Sequence, residues 1–329
     1  VAVAVFLVGA VVSLLASWLL VQRIERVGEW LGLSDGLVGL IAALAADGPE
    51  ITSSVTALLD HEQSVGAGVV LGSNLFNLAA LLGLAAVVAG VIHMHRRVVV
   101  FAGTISVVTA VLCLLAVTGR LPVGAALAGV LLALGVYAAA LALDVRGLAR
   151  LRLPASWCSW LCMAVGEEDV EVRAALPPAG GWTDVLVAGV CLVAVVIASV
   201  AMERSATALG ARWHVADIVV GGIVLAAVTS LPNAVAAVYL ARRGRGQAVL
   251  STAINSNAIN VAFGLLLPGV ILGLGPVTGT STLVATWYVA LTVASLALIW
   301  LDGALRRPTG WAIIAAYAAF VFNLLAVTG

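Results

Sequence analysis

Apolar residues in this chain fall into ten long runs: residues 1–24, 37–59, 66–92, 98–117 and 123–143, then 185–202, 218–241, 248–275, 283–301 and 311–327. Most match the ~20 apolar residues that a helix needs to cross about 30 Å of hydrocarbon at 1.5 Å per residue. The pattern predicts an all-α polytopic membrane protein of ten transmembrane helices. They divide into a first five-helix unit (1–143), a linker (144–184) and a second five-helix unit (185–329). The linker alone has ordinary soluble polarity, with Arg146, Arg150, Arg152, the acidic cluster Glu167, Glu168, Asp169 and Glu171, and a Pro177-Pro178-Ala179-Gly180-Gly181 breaker.

Composition agrees with that division. The 329 residues are 63% apolar and 10% charged, with a mean hydropathy of +1.18, whereas soluble domains run about 45–50% apolar and about 25% charged. Sixteen basic residues, all Arg, balance sixteen acids, so no charge excess argues for a nucleic-acid partner; membrane lipid is the expected surrounding. Cys113, Cys158, Cys162 and Cys191 are too scattered for a disulfide framework and read as reduced. The sequence opens without Met in an apolar stretch lacking a basic n-region or small-residue cleavage site, which reads as a retained first helix rather than a signal peptide.

The placement of charge says more than its sum. With ten helices, the odd-numbered loops carry Arg23, Arg26, Arg96, Arg97, Arg146, Arg150, Arg152, Arg173, Arg242, Arg243, Arg245, Arg306 and Arg307, and the even-numbered loops only Arg120, Arg204 and Arg212. The positive-inside rule then puts the odd loops and the linker in the cytoplasm and both termini outside, across a plasma or inner membrane. Trp30, Trp182 and Trp213 fall beside predicted helix ends, where an amphipathic indole belongs.

The two units repeat each other. Gly48-Pro49-Glu50 recurs as Leu231-Pro232-Asn233, and Gly72-Ser73-Asn74-Leu75-Phe76-Asn77 as Asn255-Ser256-Asn257-Ala258-Ile259-Asn260, all displaced by 183 residues without a gap, as are Gly39 to Gly222 and Ala43 to Ala226. Scattered Ala and Leu could match by chance; Pro, Ser and two Asn in register do not. Because each unit has five helices, the second must enter the membrane in the opposite sense, giving an inverted repeat. The turn between the motif helices, acidic as Asp60-His61-Glu62 in one unit and basic as Arg243-Gly244-Arg245 in the other, obeys the charge rule in both orientations.

Polar residues inside the apolar runs are the candidate chemistry. Pro49 and Pro232 should break their helices and free carbonyl oxygens at mid-membrane depth. Asp47 and Glu50 flank Pro49, three residues apart and so on one side of the helix. A charge at that depth costs at least ~2.5 kcal/mol, so neither acid is there by default. The companion helices carry Ser73, Asn74 and Asn77, and Ser256, Asn257 and Asn260. Carboxylate, amide, hydroxyl and carbonyl oxygens without His or Cys suit hard cations such as calcium or sodium. Singly, the Ser and Asn residues are read equally well as hydrogen bonds between packed helices.

These paired motifs resemble the alpha repeats of the calcium/cation antiporter superfamily, which includes the sodium/calcium exchangers. Thr229-Ser230-Leu231-Pro232 matches the opening of that repeat, Gly72-Ser73-Asn74-Leu75-Phe76-Asn77 its second segment, and the likeness spans nearly the whole chain. It implies two inverted halves around a central ion site that opens alternately to either side, calcium moving against sodium or protons. It also implies ion ligands at Glu50, Ser73, Asn77, Ser230, Ser256 and Asn260. Two departures stand out: Asn233 replaces the second repeat's Glu, and Ala46-Asp47-Gly48 replaces Thr-Ser-Leu, so both acids come from the first half. Two charges still match one divalent ion, and their mutual repulsion makes proton coupling a second expectation.

The full expected ligand set is Asp47, Glu50, Ser73, Asn77, Ser230, Asn233, Ser256 and Asn260, with the first and sixth helices rocking against the site-bearing bundle. The function expected is secondary active antiport of calcium for sodium. The alternatives are a calcium/proton exchanger or a transport-inactive scaffold or sensor. No cofactor is expected beyond the transported cations, and no enzyme is, since no nucleophile–base pair or phosphate-cradling loop occurs; oligomeric state is left open. His93, His95, Arg96 and Arg97 read as a basic anchor ending the third helix rather than a metal clip or pH sensor. His61 reads as part of a solvated turn, Cys158 and Cys162 lack zinc partners, and the linker acids lack calcium-loop spacing.

Overall fold

The computed structural model of the chain describes residues 1–33, 35–148, 180–244 and 246–329, with side chains outside 35–40, 141–148 and 247. The linker features at residues 149–179, including Cys158, Cys162, the acidic cluster and the two prolines, lie outside the described residues, as does Arg245.

The first half contains α1 (Ala2–Trp30), α2 (Asp35–Ala46), α3 (Gly48–Leu59), α4 (Gln63–Ala89), α5 (Arg96–Val117) and α6 (Val123–Leu148), with a short strand β1 (Val91–His93) before α5. The second contains α7 (Trp182–Trp213), α8 (Asp217–Thr229), α9 (Leu231–Arg242), α10 (Gly246–Ile259, continued through Leu272), α11 (Gly279–Asp302) and α12 (Arg307–Thr328), with β2 (Ala304–Arg306) before α12. Helix bounds recur at the spacing of the sequence repeat: Gly48–Leu59 and Leu231–Arg242 both start and end 183 residues apart. α5 and α11 likewise start 183 apart.

Among the described residues, eight helices are long and apolar enough to cross a membrane, or nine if α8 and α9, bent by 45°, form one span. The run 37–59 is therefore not one helix. It is divided at Asp47 into two helices of 12 residues. The division falls just ahead of Pro49, not at it, because a proline is tolerated in the first turn, where its missing N–H has no partner to lose. α9 repeats the arrangement, with Ser230 at the break and Pro232 in the first turn. The third predicted helix also ends early, at Ala89, where Gly90 takes φ +91°. His93 lies in β1 and His95 caps α5, so neither ends that helix.

α4 and α10 are almost wholly buried at the centre. α4 crosses α8 through glycine: a Cβ at Gly72 would land on the backbone of Gly222, and one at Gly221 on the Val65 carbonyl. Small residues let two backbones approach this closely in lipid, where packing and not water exclusion holds helices together. Around this centre stand α3, α5, α11 and α12, with Tyr137, Tyr288 and Phe320 fully buried among them. α1 and α7 pack along each other at the periphery, joined by Ser13 Oγ and Ser199 Oγ at 2.8 Å and by Arg23 Nη1 and Asp184 Oδ1 at 2.8 Å.

Candidate cation site

The two helix breaks meet at the centre of the bundle, and all eight sequence-predicted ligands are buried there, none more than 2% exposed. At the first break Asp47 Oδ1 accepts from Ser256 Oγ (2.6 Å) and Asn233 Nδ2 (2.8 Å). Glu50 Oε1 accepts from Ser230 Oγ at 2.9 Å. Subtracting 183 exchanges these partners: Ser230 is the counterpart of Asp47 and Asn233 of Glu50. The pairs Asp47–Asn233 and Glu50–Ser230 are thus exchanged by the 183-residue shift, with both acids in the first half of the chain. No ion pair to Asp47 or Glu50 is found among the described residues.

The helices α4 and α10 form the other wall. Asn74 Nδ2 donates to the Asn257 carbonyl (3.0 Å) while Asn257 Nδ2 donates to the Asn74 carbonyl (3.1 Å). Asn77 Nδ2 donates to Asn257 Oδ1 (3.1 Å) and Asn260 Nδ2 to Asn74 Oδ1 (3.3 Å). Each bond is the mate of the other under the 183-residue exchange. Asn77 Nδ2 also reaches Ser256 Oγ at 3.0 Å, which links this wall to Asp47. Asn74 and Asn257 stand outside the expected ligand set, yet they are the clasp that holds α4 to α10. Their signal was present in the sequence, since they sit inside the repeated motif.

The chemical result is a set of oxygens left over. The amide nitrogens of Asn77 and Asn260 are consumed by helix–helix bonds, which leaves Asn77 Oδ1 and Asn260 Oδ1 buried without a partner, together with Asp47 Oδ2, Glu50 Oε2 and Ser73 Oγ. Ser73 makes no hydrogen bond to the other seven; it lies one turn before Asn77 on α4, on the same helix face. Each unsatisfied buried group costs roughly 1–3 kcal/mol, so five impose a penalty on the order of 10 kcal/mol. No group of three or more His, Cys, Asp or Glu suited to a metal occurs among the described residues. Two carboxylates with neutral oxygens are a donor set for a hard cation and not for a thiolate- or imidazole-seeking metal. Wide π-helical turns begin beside both asparagines, at Leu78–Leu84 and Asn260–Leu266, a deviation frequent at functional sites. The freed carbonyls expected at the first break are partly engaged by the peripheral pair, as Ser17 Oγ of α1 approaches the Ala46 carbonyl at 3.3 Å.

Broken helices meeting around buried carboxylates and amide oxygens define a helical membrane protein of the cation-exchanger class. The chain belongs to the sodium/calcium exchanger protein family, whose model matches residues 1–146 and 183–326. It is 24% identical over 285 residues to the inner membrane protein YrbG of Escherichia coli strain K12, covering 82% of this chain and 80% of that protein. It is 35% identical over 82 residues to a putative antiporter CaxA of Alkalimonas amylolytica, a match limited to 25% of this chain and 26% of that one. Among solved structures, the H+/Ca2+ exchanger CAX shares the fold with a TM-score of 0.69 at 14% identity, covering 99% of this chain and 85% of that one. The sodium-calcium exchanger NCX_Mj shares it with a TM-score of 0.56 at 18% identity, covering 97% of both.

Proposed function

We propose that the protein is a secondary active antiporter that exchanges calcium for sodium at the Asp47–Glu50 site by alternating access. The observation that carries this reading is the set of five buried oxygens without a hydrogen-bond partner, two of them carboxylate, on residues at or packed against the two helix breaks. Asp47 and Glu50 supply the charge, Asn77, Asn260 and Ser73 supply neutral oxygens, and Ser230, Asn233 and Ser256 hold the two acids in place. The reading includes ten spans in two inverted five-helix halves (1–143 and 185–329) joined by a cytoplasmic linker, with both termini outside.

Three contacts support that sidedness, each joining loops given the same side by charge. β1 and β2 pair antiparallel, bringing the third and ninth loops together. Asp184 at the end of the linker meets Arg23 and Arg26. Asp60 in the second loop meets Arg204 Nε at 2.7 Å, toward the outer end of α7. The α1–α7 pair, packed along each other at the periphery and reaching the first break through Ser17 of α1 and Val195 of α7, is the unit that rocks.

A second reading, proton in place of sodium as the counter-ion, is favoured by the two acids lying in one half of the chain. Binding of labelled calcium to purified protein, competed by sodium at constant pH and by acid at constant sodium, separates the two readings; calcium binding insensitive to sodium contradicts the first.

Asn233 gives a further expectation. Asn233→Glu removes the amide donor to Asp47 Oδ1 and places a third carboxylate beside it. Repulsion among the three acids must be relieved by an additional cation or proton. Calcium transport by this variant should therefore shift its dependence on sodium and pH relative to the parent. Identical dependences would contradict the role given to Asn233.

A further inference from the structure

We infer that Asn255 supplies a second cation-binding position, on the route between the Asp47–Glu50 site and the cytoplasm. The inference rests on the exchange reading and the sidedness given above. Three positions at which the two halves differ carry it. Under the 183-residue shift Ser251 is the counterpart of Gly68, Asn255 of Gly72 and Tyr137 of Phe320. In the first half, Gly68 and Gly72 admit the α8 backbone, since a Cβ on either would meet Gly222. Phe320 is fully buried and offers no polar atom.

In the second half the same three positions form a hydrogen-bonded chain instead. Tyr137 Oη and Ser251 Oγ are 3.0 Å apart although 114 residues separate them. Asn255 Nδ2 donates to Ser251 Oγ at 3.2 Å. Each departure from the repeat thus adds a polar atom that the next one uses. With its nitrogen engaged, the Asn255 amide is left with Oδ1 as a buried oxygen without a hydrogen-bond partner, on a residue only 7% exposed. Such a group is costly to bury, and Gly72 at the matching position shows that the packing of these helices has no need of it.

The location points to a cation. Asn255 precedes Ser256, whose Oγ donates to Asp47 Oδ1 at 2.6 Å, so it adjoins the acid site on the side toward the basic α9–α10 turn. At 1.5 Å per residue, Ser251 and Asn255 lie roughly 8 and 14 Å in from the start of α10 at Gly246. The first half has no matching oxygen, because Gly72 has no side chain. An amide oxygen is a ligand for hard cations. Being uncharged, it offers the ion a contact without the attraction that would hold it there, as a position in transit requires. Tyr137 and Ser251 are positioning residues: they hold the amide nitrogen and leave its oxygen available.

The test is calcium release from purified protein, timed by stopped-flow mixing with a fluorescent chelator, beside an equilibrium calcium titration and a melting curve. A position in transit speeds entry and exit alike. Asn255→Ala should therefore slow release roughly tenfold, the size of one polar contact to a charged group, while affinity stays within about twofold of the parent. Release as fast as in the parent overturns the inference. So does a tenfold loss of affinity, which would make Asn255 a ligand of the main site. Absence of calcium binding in the parent overturns the exchange reading and this inference with it, whereas parental binding with unchanged release in Asn255→Ala overturns this inference alone. If Asn255→Ala does not fold, Tyr137→Phe, which copies the matching residue of the other half, serves instead: slower release at unchanged affinity supports the position, and unchanged release overturns it.

Discussion

Glu50→Gln should reduce calcium uptake to background while leaving the protein folded. Gln keeps the shape of the side chain and an oxygen able to accept the 2.9 Å bond from Ser230, so the α3–α8 contact survives and the loss is confined to charge. A divalent ion about 4 Å from a carboxylate gains ~8 kcal/mol at an effective dielectric near 20. Even a third of that is roughly a hundredfold in affinity. The check is labelled-calcium binding and uptake beside a melting curve in detergent: unchanged melting with binding lost is the expected pair. Uptake equal to the parent would remove Glu50 from the site.

Gly72→Ala should be the most damaging substitution of a residue that touches no ion. Its added methyl has no room, since it would meet the Gly222 backbone across the α4–α8 crossing, and backbone cannot rotate aside as a side chain can. Overpacking of this kind costs about 1–3 kcal/mol. The alternative is to push α8 away, which carries Ser230 off Glu50 and α9, with Asn233, off Asp47. Either response lowers stability or calcium affinity. Gly189→Ala on α7 is the control, because a Cβ there meets nothing within 4 Å. Melting temperature and calcium affinity in both variants make the comparison, and a Gly72 variant no worse than the control contradicts the close crossing.

The site was legible in the sequence because its residues are costly where they stand. Asp47 and Glu50 interrupt an apolar run, and Ser73, Asn77, Ser256 and Asn260 recur at one spacing, so the pattern marked them before any packing was known. The pattern did not reveal which oxygens remain available. That Asn77 and Asn260 spend their nitrogens on the opposite half follows from the reciprocal clasp of Asn74 and Asn257, which exists only once α4 and α10 are packed. Helix ends were legible only where an apolar run and a helix coincide. α7 continues to Trp213, past Glu203 and Arg204, because a run of hydropathy measures hydrocarbon thickness whereas the helix stops where its backbone pairing stops. The β1–β2 ribbon had no sequence signal, since two three-residue strands more than two hundred residues apart pair only through the tertiary fold.

The central claim is coupled cation exchange at the Asp47–Glu50 site. It is tested most directly by labelled-calcium flux into proteoliposomes under an outward sodium gradient at equal pH and, separately, under a proton gradient without sodium. Calcium accumulation driven by the sodium gradient, collapsing when the gradient is dissipated and absent in Glu50→Gln, is the predicted result. No calcium accumulation under either gradient, or accumulation that Glu50→Gln leaves unchanged, would contradict it.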